Sequence, residues 1–155
     1  MGRSSLLLLV KALQEKYGSR DQYARAEGKP PSPDRLGAHE SAFITERDTF
    51  YMATVGATGW PYVQHRGGRK GFVKVIDAQR IAFPDYRGNK QYVSTGNLSS
   101  DDRVALIMVD YPRQARLKLL GHAEILAGGE RGGLGETPPG AGQQRCHRAC
   151  VPDPG

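Results

Sequence analysis

The feature that most constrains the fold is a series of short apolar runs between residues 50 and 125, each five to nine residues long and bounded by turn residues. β-Branched and aromatic side chains are frequent in these runs, and this composition is typical of β-strands. Short strands at regular spacing are typical of barrels and sandwiches. The pattern predicts six strands, at residues 50–55, 60–66, 72–76, 80–84, 104–110 and 117–125.

Helical periodicity is found mainly before these runs. Apolar side chains recur at i, i+3, i+4 and i+7 spacing over residues 5–17, and Gly18 is a natural stop. Shorter helices are predicted near residues 19–26 and at 39–47, with a connector containing three prolines at 28–34 between them. A further short helix is predicted at residues 89–96.

Composition changes again after residue 126. The last thirty residues are rich in Gly, Pro and Arg, and such a segment buries too little apolar surface to offset its chain entropy. We therefore predict a helical lead-in at 1–38, a mainly β domain at 39–126 and a disordered tail at 127–155. The tail contains Cys146, His147 and Cys150, which is one ligand short of a closed zinc site, so no metal site is predicted.

Net charge, cysteine content and the length of the apolar runs narrow the possible partners and the class of protein. The formal net charge of +6 favours anionic partners, among them phosphate-bearing ligands, nucleic acids and acidic surfaces. Both cysteines lie in the tail, which argues against a disulfide scaffold. The apolar run near the start, residues 6–10, is too short to span a membrane. A cytoplasmic protein is the expectation.

Two basic, glycine-containing loops are the candidate sites for chemistry. One follows the second predicted strand, at residues 66–71, and the other follows the fourth, at 85–91. Guanidinium groups, an ammonium group and free backbone N–H groups are what a phosphate needs, and glycine lets the backbone approach an anion closely. The start of a helix at Asn89 would add a favourable dipole. Spacing alone, however, favours two ordinary solvated loops, and no nucleophile constellation stands out.

The order of several motifs resembles a known family. The motifs are Phe43-Ile44, the run 48–55 (DTFYMATV), the run 59–68 (GWPYVQHRGG), 71–77 (GFVKVID), 85–92 (DYRGNKQY), 96–98 (GNL), 104–112 and 116–124 (RLKLLGHAE). Together they resemble the flavin-nucleotide-binding proteins related to pyridoxamine 5'-phosphate oxidase. The resemblance covers about residues 36–125.

This resemblance implies a six-stranded split β-barrel with N-terminal and connecting short helices, and a homodimer with flavin mononucleotide (FMN) at the subunit interface. It implies that residues 64–66 line the phosphate and ribityl chain and that the loop after the fourth strand holds the phosphate. It also implies that Lys74 on the third strand can supply a further cation. Arg116 falls where the oxidase has a glutamine near the flavin. The cofactor-binding residues implied in this way are Gln64, His65, Arg66, Lys74, Arg87, Asn89, Lys90, Gln91 and Arg116.

The resemblance does not extend to the oxidase's substrate. The chain lacks the segment that recognises a vitamin B6 phosphate, and its Gly/Pro/Arg-rich tail replaces the ordered structure that related chains have after the last strand. The first hypothesis is therefore an FMN-dependent oxidoreductase acting on a small molecule of unknown identity. A non-catalytic flavin carrier or sensor, the deazaflavin F420 as cofactor, and a basic nucleic-acid-binding module are the alternatives. The last lacks the alternation of aromatic and basic residues along strands that single-strand binding needs.

Overall fold

The computed structural model describes residues 3–27, 35–86, 91–126 and 145–150, with side chains over 8–24, 35–86 and 91–126. It consists of two compact units, Met1–Pro33 and Asp34–Gly155. The division falls in the predicted proline-containing connector, whereas the sequence analysis places the boundary after residue 38. In the part of the chain that is described, no helix is long and apolar enough to cross a membrane.

The first unit contains two helices, α1 (Arg3–Lys16) and α2 (Arg20–Glu27). Gly18 ends α1 with a φ of +72°, a conformation that glycine adopts without steric cost. Arg20 donates a hydrogen bond of 2.8 Å to Gln14, which ties the start of α2 to α1. Both helices match the sequence prediction to within about two residues.

The second unit contains all seven strands of one antiparallel sheet. They are β1 (Thr49–Val55), β2 (Pro61–Gly67), β3 (Lys74–Asp77), β4 (Arg80–Asp85), β5 (Arg103–Asp110), β6 (Ala115–Leu126) and β7 (Arg145–Cys150). The strand order is β2-β1-β5-β6-β7-β4-β3. The six strands predicted from the sequence are all present, with ends shifted by two residues or fewer.

The predicted six-stranded split barrel is not confirmed. A seventh strand, β7, pairs with β6 on one side and β4 on the other, although the composition of the tail predicts disorder there. The end strands of the sheet, β2 and β3, do not pair with each other in the described residues, so the sheet is open. Residues 127–144 and 151–155 lie outside the described part of the chain.

The core lies on the inner face of this sheet, and its centre is Phe50 of β1. The Phe50 ring stacks on Phe72 at a centroid distance of 5.8 Å and meets the edge of Phe83 at 4.9 Å. Phe83 lies on β4, which three strands separate from β1 in the sheet order. The sheet therefore curls around its core, although its ends do not join.

Two helices flank the sheet, α3 (Ala38–Thr45) and α4 (Val93–Leu98). Gly37 caps α3, and its backbone N–H donates to the Glu40 carboxylate at 3.0 Å, which satisfies one of the free donors at the helix start. Ile44 of α3 is fully buried in the core. Helix α4 lies between β4 and β5 in the chain and contacts β1 and β6.

Candidate functional site

Strand β2 presents two polar side chains to the inner face of the sheet. Because side chains alternate along a strand, Gln64 and Arg66 share one face while His65 takes the other. Gln64 lies opposite Met52 of β1 and Arg66 opposite Phe50. Gln64 is half-buried, and only 9 % of Arg66 is exposed. A polar pair at the edge of an apolar core needs partners for its donors and acceptors.

Arg66 has one strong partner, the carboxylate of Asp85 at the end of β4, with which it forms an ion pair. The hydroxyl of Thr95 in α4 lies 3.4 Å from the other oxygen of the same carboxylate. The Nε of Arg66 is also buried, but it has no hydrogen-bond partner among the described residues. An unpaired buried donor costs about 1–3 kcal/mol, so this N–H favours the approach of an acceptor.

Gln64 is held by the first turn of α4. The Ser94 hydroxyl donates to Gln64 Oε1 at 2.7 Å, and Ser94 is only 1 % exposed. With its oxygen used in this way, the Gln64 amide has its two N–H donors left for another group. Donors from Gln64 and Arg66 therefore lie two residues apart on one face of β2.

The predicted helix start at Asn89 lies outside the described residues, which resume at Gln91. Helix α4 begins at Val93, because Tyr92 takes the left-handed conformation with a φ of +52° and Gln91 is not helical. The helix has only six residues. Gln91 itself is exposed.

The remaining predicted residues of the second loop, Arg87, Asn89 and Lys90, lie outside the described residues. The chain on either side of them is fixed to β2. Before them Asp85 pairs with Arg66, and after them Ser94 binds Gln64. The described residues on the two sides of this segment, Asp85 and Ser94, therefore contact neighbouring side chains on one face of β2.

The structure does not bring His65, Lys74 and Arg116 to this cluster. His65 is exposed on the outer face of the sheet and meets Tyr51 edge to face at 5.4 Å. Arg116 is exposed on β6, and the register Tyr51 to Ile107 to Lys118 places it on that same outer face. Lys74 is exposed on β3, opposite Ala82.

The glycine-rich turn after β2 has a packing role. A Cβ at Gly68 would lie 2.7 Å from Cγ of Phe72, and Gly71 has a φ of +77°. Both positions therefore require glycine for the turn itself. The sequence alone suggests a different reason for these glycines, the close approach of an anion. Arg69 and Lys70, between them, are exposed.

Sequence reasoning missed Asp85, Ser94 and Thr95 as members of the site. Asp85 stands in a motif that carried the family resemblance, but nothing in the sequence indicates that it pairs with Arg66. Among the described residues, no three His, Cys, Asp or Glu side chains come together as a metal site would require. The side chains of Cys146, His147 and Cys150 lie outside the described residues.

The comparison with known families decides the assignment. The family model described as pyridoxamine 5'-phosphate oxidase matches residues 36–136, about two thirds of the chain. The chain belongs to the pyridoxamine 5'-phosphate oxidase family. The family resemblance predicted from the sequence motifs is thus confirmed. No curated protein matches the chain.

Several solved structures share the fold of this protein, although their sequence identity to it is low. A Lactobacillus delbrueckii protein ascribed to pyridoxamine 5'-phosphate oxidase is 20 % identical, with a TM-score of 0.60 over 77 % of this chain and 93 % of its own. HupZ of Group A Streptococcus is 16 % identical, with a TM-score of 0.55 over 76 % and 90 %. Rv2991 of Mycobacterium tuberculosis is 16 % identical, with a TM-score of 0.54 over 79 % and 86 %. Likeness at this level shows the fold alone.

Proposed function

We propose that this protein binds FMN through its phosphate at the Gln64–Arg66 cluster and acts as an FMN-dependent oxidoreductase on a small molecule. The observation that carries the proposal is the buried Arg66 Nε, which has no partner among the described residues. It lies beside Gln64, whose amide N–H groups are left for another acceptor. A phosphate monoester offers only acceptor oxygens and negative charge, so the residues present fit this group.

The surrounding charge supports the same ligand. Asp85 neutralises part of the charge of Arg66, and a phosphate dianion needs further cations to be held in place. Arg87 and Lys90 stand in the segment whose two flanks bind β2, and they supply those cations in this proposal. The net charge of +6 favours the approach of an anionic cofactor.

A bound flavin would supply the redox chemistry, while the protein binds and orients it and sets the electrostatics around it. The alternative is a flavin carrier or sensor without turnover, since a fold does not determine a function. Oxidation of a reduced nicotinamide by the FMN-loaded protein would separate the two. Binding of F420 in place of FMN is a further outcome of the same screen.

We also propose that the protein is a homodimer. The outer face of β1, β2, β5 and β6 carries exposed apolar side chains, among them Val63 at 61 % and Leu120 at 64 %. The register places His65 and Arg116 on this face. In a dimer formed through it, these two residues would lie at the interface, on the opposite side of the sheet from Gln64 and Arg66 of their own subunit.

The test of the phosphate site is an FMN titration, followed by flavin fluorescence, with Arg66→Ala, Arg87→Ala and Lys90→Ala. Each variant loses a charged hydrogen bond, so we expect FMN to bind about 1–3 kcal/mol more weakly. Arg103→Ala is the matched control, because Arg103 is exposed and pairs with Asp101, which is not a residue of the site. Circular dichroism checks that Arg66→Ala still folds with Asp85 unpaired. Unchanged affinity in all three variants would mean that the phosphate site is misplaced.

A further inference from the structure

We infer that Ser94 is a positioning residue, which fixes the side-chain amide of Gln64 so that its nitrogen, and not its oxygen, faces the phosphate. This inference rests on the proposed function and adds to it the group that makes the site selective for a phosphate ester. Ser94 does not itself touch the ligand in this scheme. It acts through a hydrogen bond of 2.7 Å from its hydroxyl to Gln64 Oε1.

The need for such a residue follows from the chemistry of an amide. One end of the Gln64 side chain donates two hydrogen bonds and the other end only accepts, and the two ends have nearly the same shape. If the amide turned over, Oε1 would face the phosphate oxygens, and two acceptors would oppose each other. A donor in the right place favours one orientation, and the Ser94 hydroxyl is such a donor.

Burial makes this hydrogen bond effective. Ser94 is 1 % exposed, so its hydroxyl has little access to water as an alternative partner. It is part of the first turn of α4, and Thr95, the next residue, lies near the Asp85 carboxylate that pairs with Arg66. The same turn thereby sets the orientation of Gln64 and borders the ion pair of Arg66. Both side chains then offer donors to one acceptor.

The consequence is discrimination by the phosphate group. Buried donors that lose their acceptor are left unpaired, so a site of this kind rejects a ligand that lacks the acceptor. FMN carries the phosphate, and riboflavin does not. Loss of the Ser94 hydroxyl should therefore weaken the binding of FMN and leave the binding of riboflavin as it is.

The experiment measures the dissociation constants of FMN and of riboflavin for the full-length wild-type protein, Ser94→Ala and Ser94→Thr. We expect Ser94→Ala to weaken FMN binding by roughly 5–30-fold, the factor for one to two kcal/mol, with riboflavin unchanged. Ser94→Thr keeps a hydroxyl and should restore much of the loss. In a Gln64→Met background, Ser94→Ala should cause no further loss, because the side chain through which Ser94 acts is absent.

Several results would overturn the inference while leaving the proposed function standing. Equal weakening of FMN and riboflavin would assign Ser94 a purely structural role, and additive losses in the Gln64→Met background would show that it acts independently of Gln64. If the wild-type protein binds FMN and Ser94→Ala binds it equally well, the inference is also overturned.

If the wild-type protein binds no flavin, the proposed function fails, and inorganic phosphate then serves as the probe. The inference requires phosphate to raise the melting temperature of the wild type more than that of Ser94→Ala. An equal rise in the two proteins, or no rise in the wild type, contradicts it.

Discussion

At the residue scale, a buried carboxylate at the end of β5 shows how this fold pairs its charges. One Asp110 oxygen lies 2.8 Å from the Arg47 guanidinium, and the other accepts the backbone N–H of Arg113 at 3.1 Å. The N–H of Arg113 and the guanidinium of Arg47 both favour the charged form, and they lower the pKa of Asp110 below its ordinary value of 3.8 although burial opposes them. The pair joins the residues after α3 to the turn between β5 and β6.

Asp110→Asn should therefore lower the stability of the protein in a pH-dependent way. A carboxylate whose pKa is lowered by folding stabilises the native state above its unfolded pKa, and this contribution is lost as the pH falls through the folded pKa. We expect the variant to be less stable than the wild type at pH 7 and the difference to shrink below about pH 4. Urea unfolding at pH 7 and pH 3 measures it. A difference that is equal at both pH values would show that the charge of Asp110 contributes nothing.

The candidate site was predictable only in part at this scale. The motif order in the sequence indicated Gln64 and Arg66, which the structure places on one face of β2. The partners of these residues were not predictable, because Asp85 belongs to a strand at the far end of the sheet order. Ser94 is one serine among several in its segment, and only the packing of α4 brings its hydroxyl to Gln64.

At the scale of elements, strand β1 organises the core. Its burial alternates, with Phe50, Met52 and Thr54 buried and Tyr51 exposed, as expected for a strand with one face on the core. The amide of Asn97 in α4 donates to the Thr54 hydroxyl at 2.9 Å, which fixes the helix over the end of the strand. Strand β1 therefore connects the aromatic cluster to the helix that borders the site.

Phe50→Ala should destabilise the protein by about 3–5 kcal/mol, because it removes a fully buried ring and leaves a cavity between Phe72 and Phe83. Trp60→Ala is the control, since Trp60 is 77 % exposed in the turn after β1 and should change stability by about 0.5 kcal/mol or less. Urea denaturation measures both. A Phe50→Ala effect as small as that of the control would show that the aromatic cluster does not organise the core.

Six strands could be predicted from the sequence because each is a short run with β-branched, aromatic or other apolar side chains and has turn residues at its ends. The seventh, β7, could not, since its sequence is Arg145-Cys-His-Arg-Ala-Cys150 and contains little that a strand would bury. Its backbone instead pairs on both sides, with β6 and with β4. Backbone pairing of this kind depends on the position of neighbouring strands, and local composition does not reveal it.

At the scale of the whole molecule, the outer face of the sheet is the surface that most needs an explanation. Val63 and Leu120 are each more than half exposed there, and the register places Ala53 of β1 and Ala105 of β5 between them across the strands. An exposed apolar surface of this kind is a candidate for contact with another molecule. In a homodimer a second copy of the chain covers it.

Leu120→Asp should weaken self-association, because it replaces an exposed apolar side chain of this face with a charge. Ile76→Asp is the control, as Ile76 is an exposed apolar residue on β3 at the other end of the sheet. Size-exclusion chromatography with light scattering gives the mass of each variant. We expect a dimer for the wild type and for Ile76→Asp, and a monomer for Leu120→Asp. A wild-type monomer would contradict the proposed assembly.

We propose that this member of the pyridoxamine 5'-phosphate oxidase family holds FMN at the Gln64–Arg66 cluster. The most direct test is the absorbance spectrum of the purified protein, with and without added FMN, recorded as it elutes from a size-exclusion column. We expect the bands of oxidised flavin to co-elute with the protein at the mass of a dimer, and to be weaker for Arg66→Ala. Protein that elutes without flavin after incubation with excess FMN would contradict the claim.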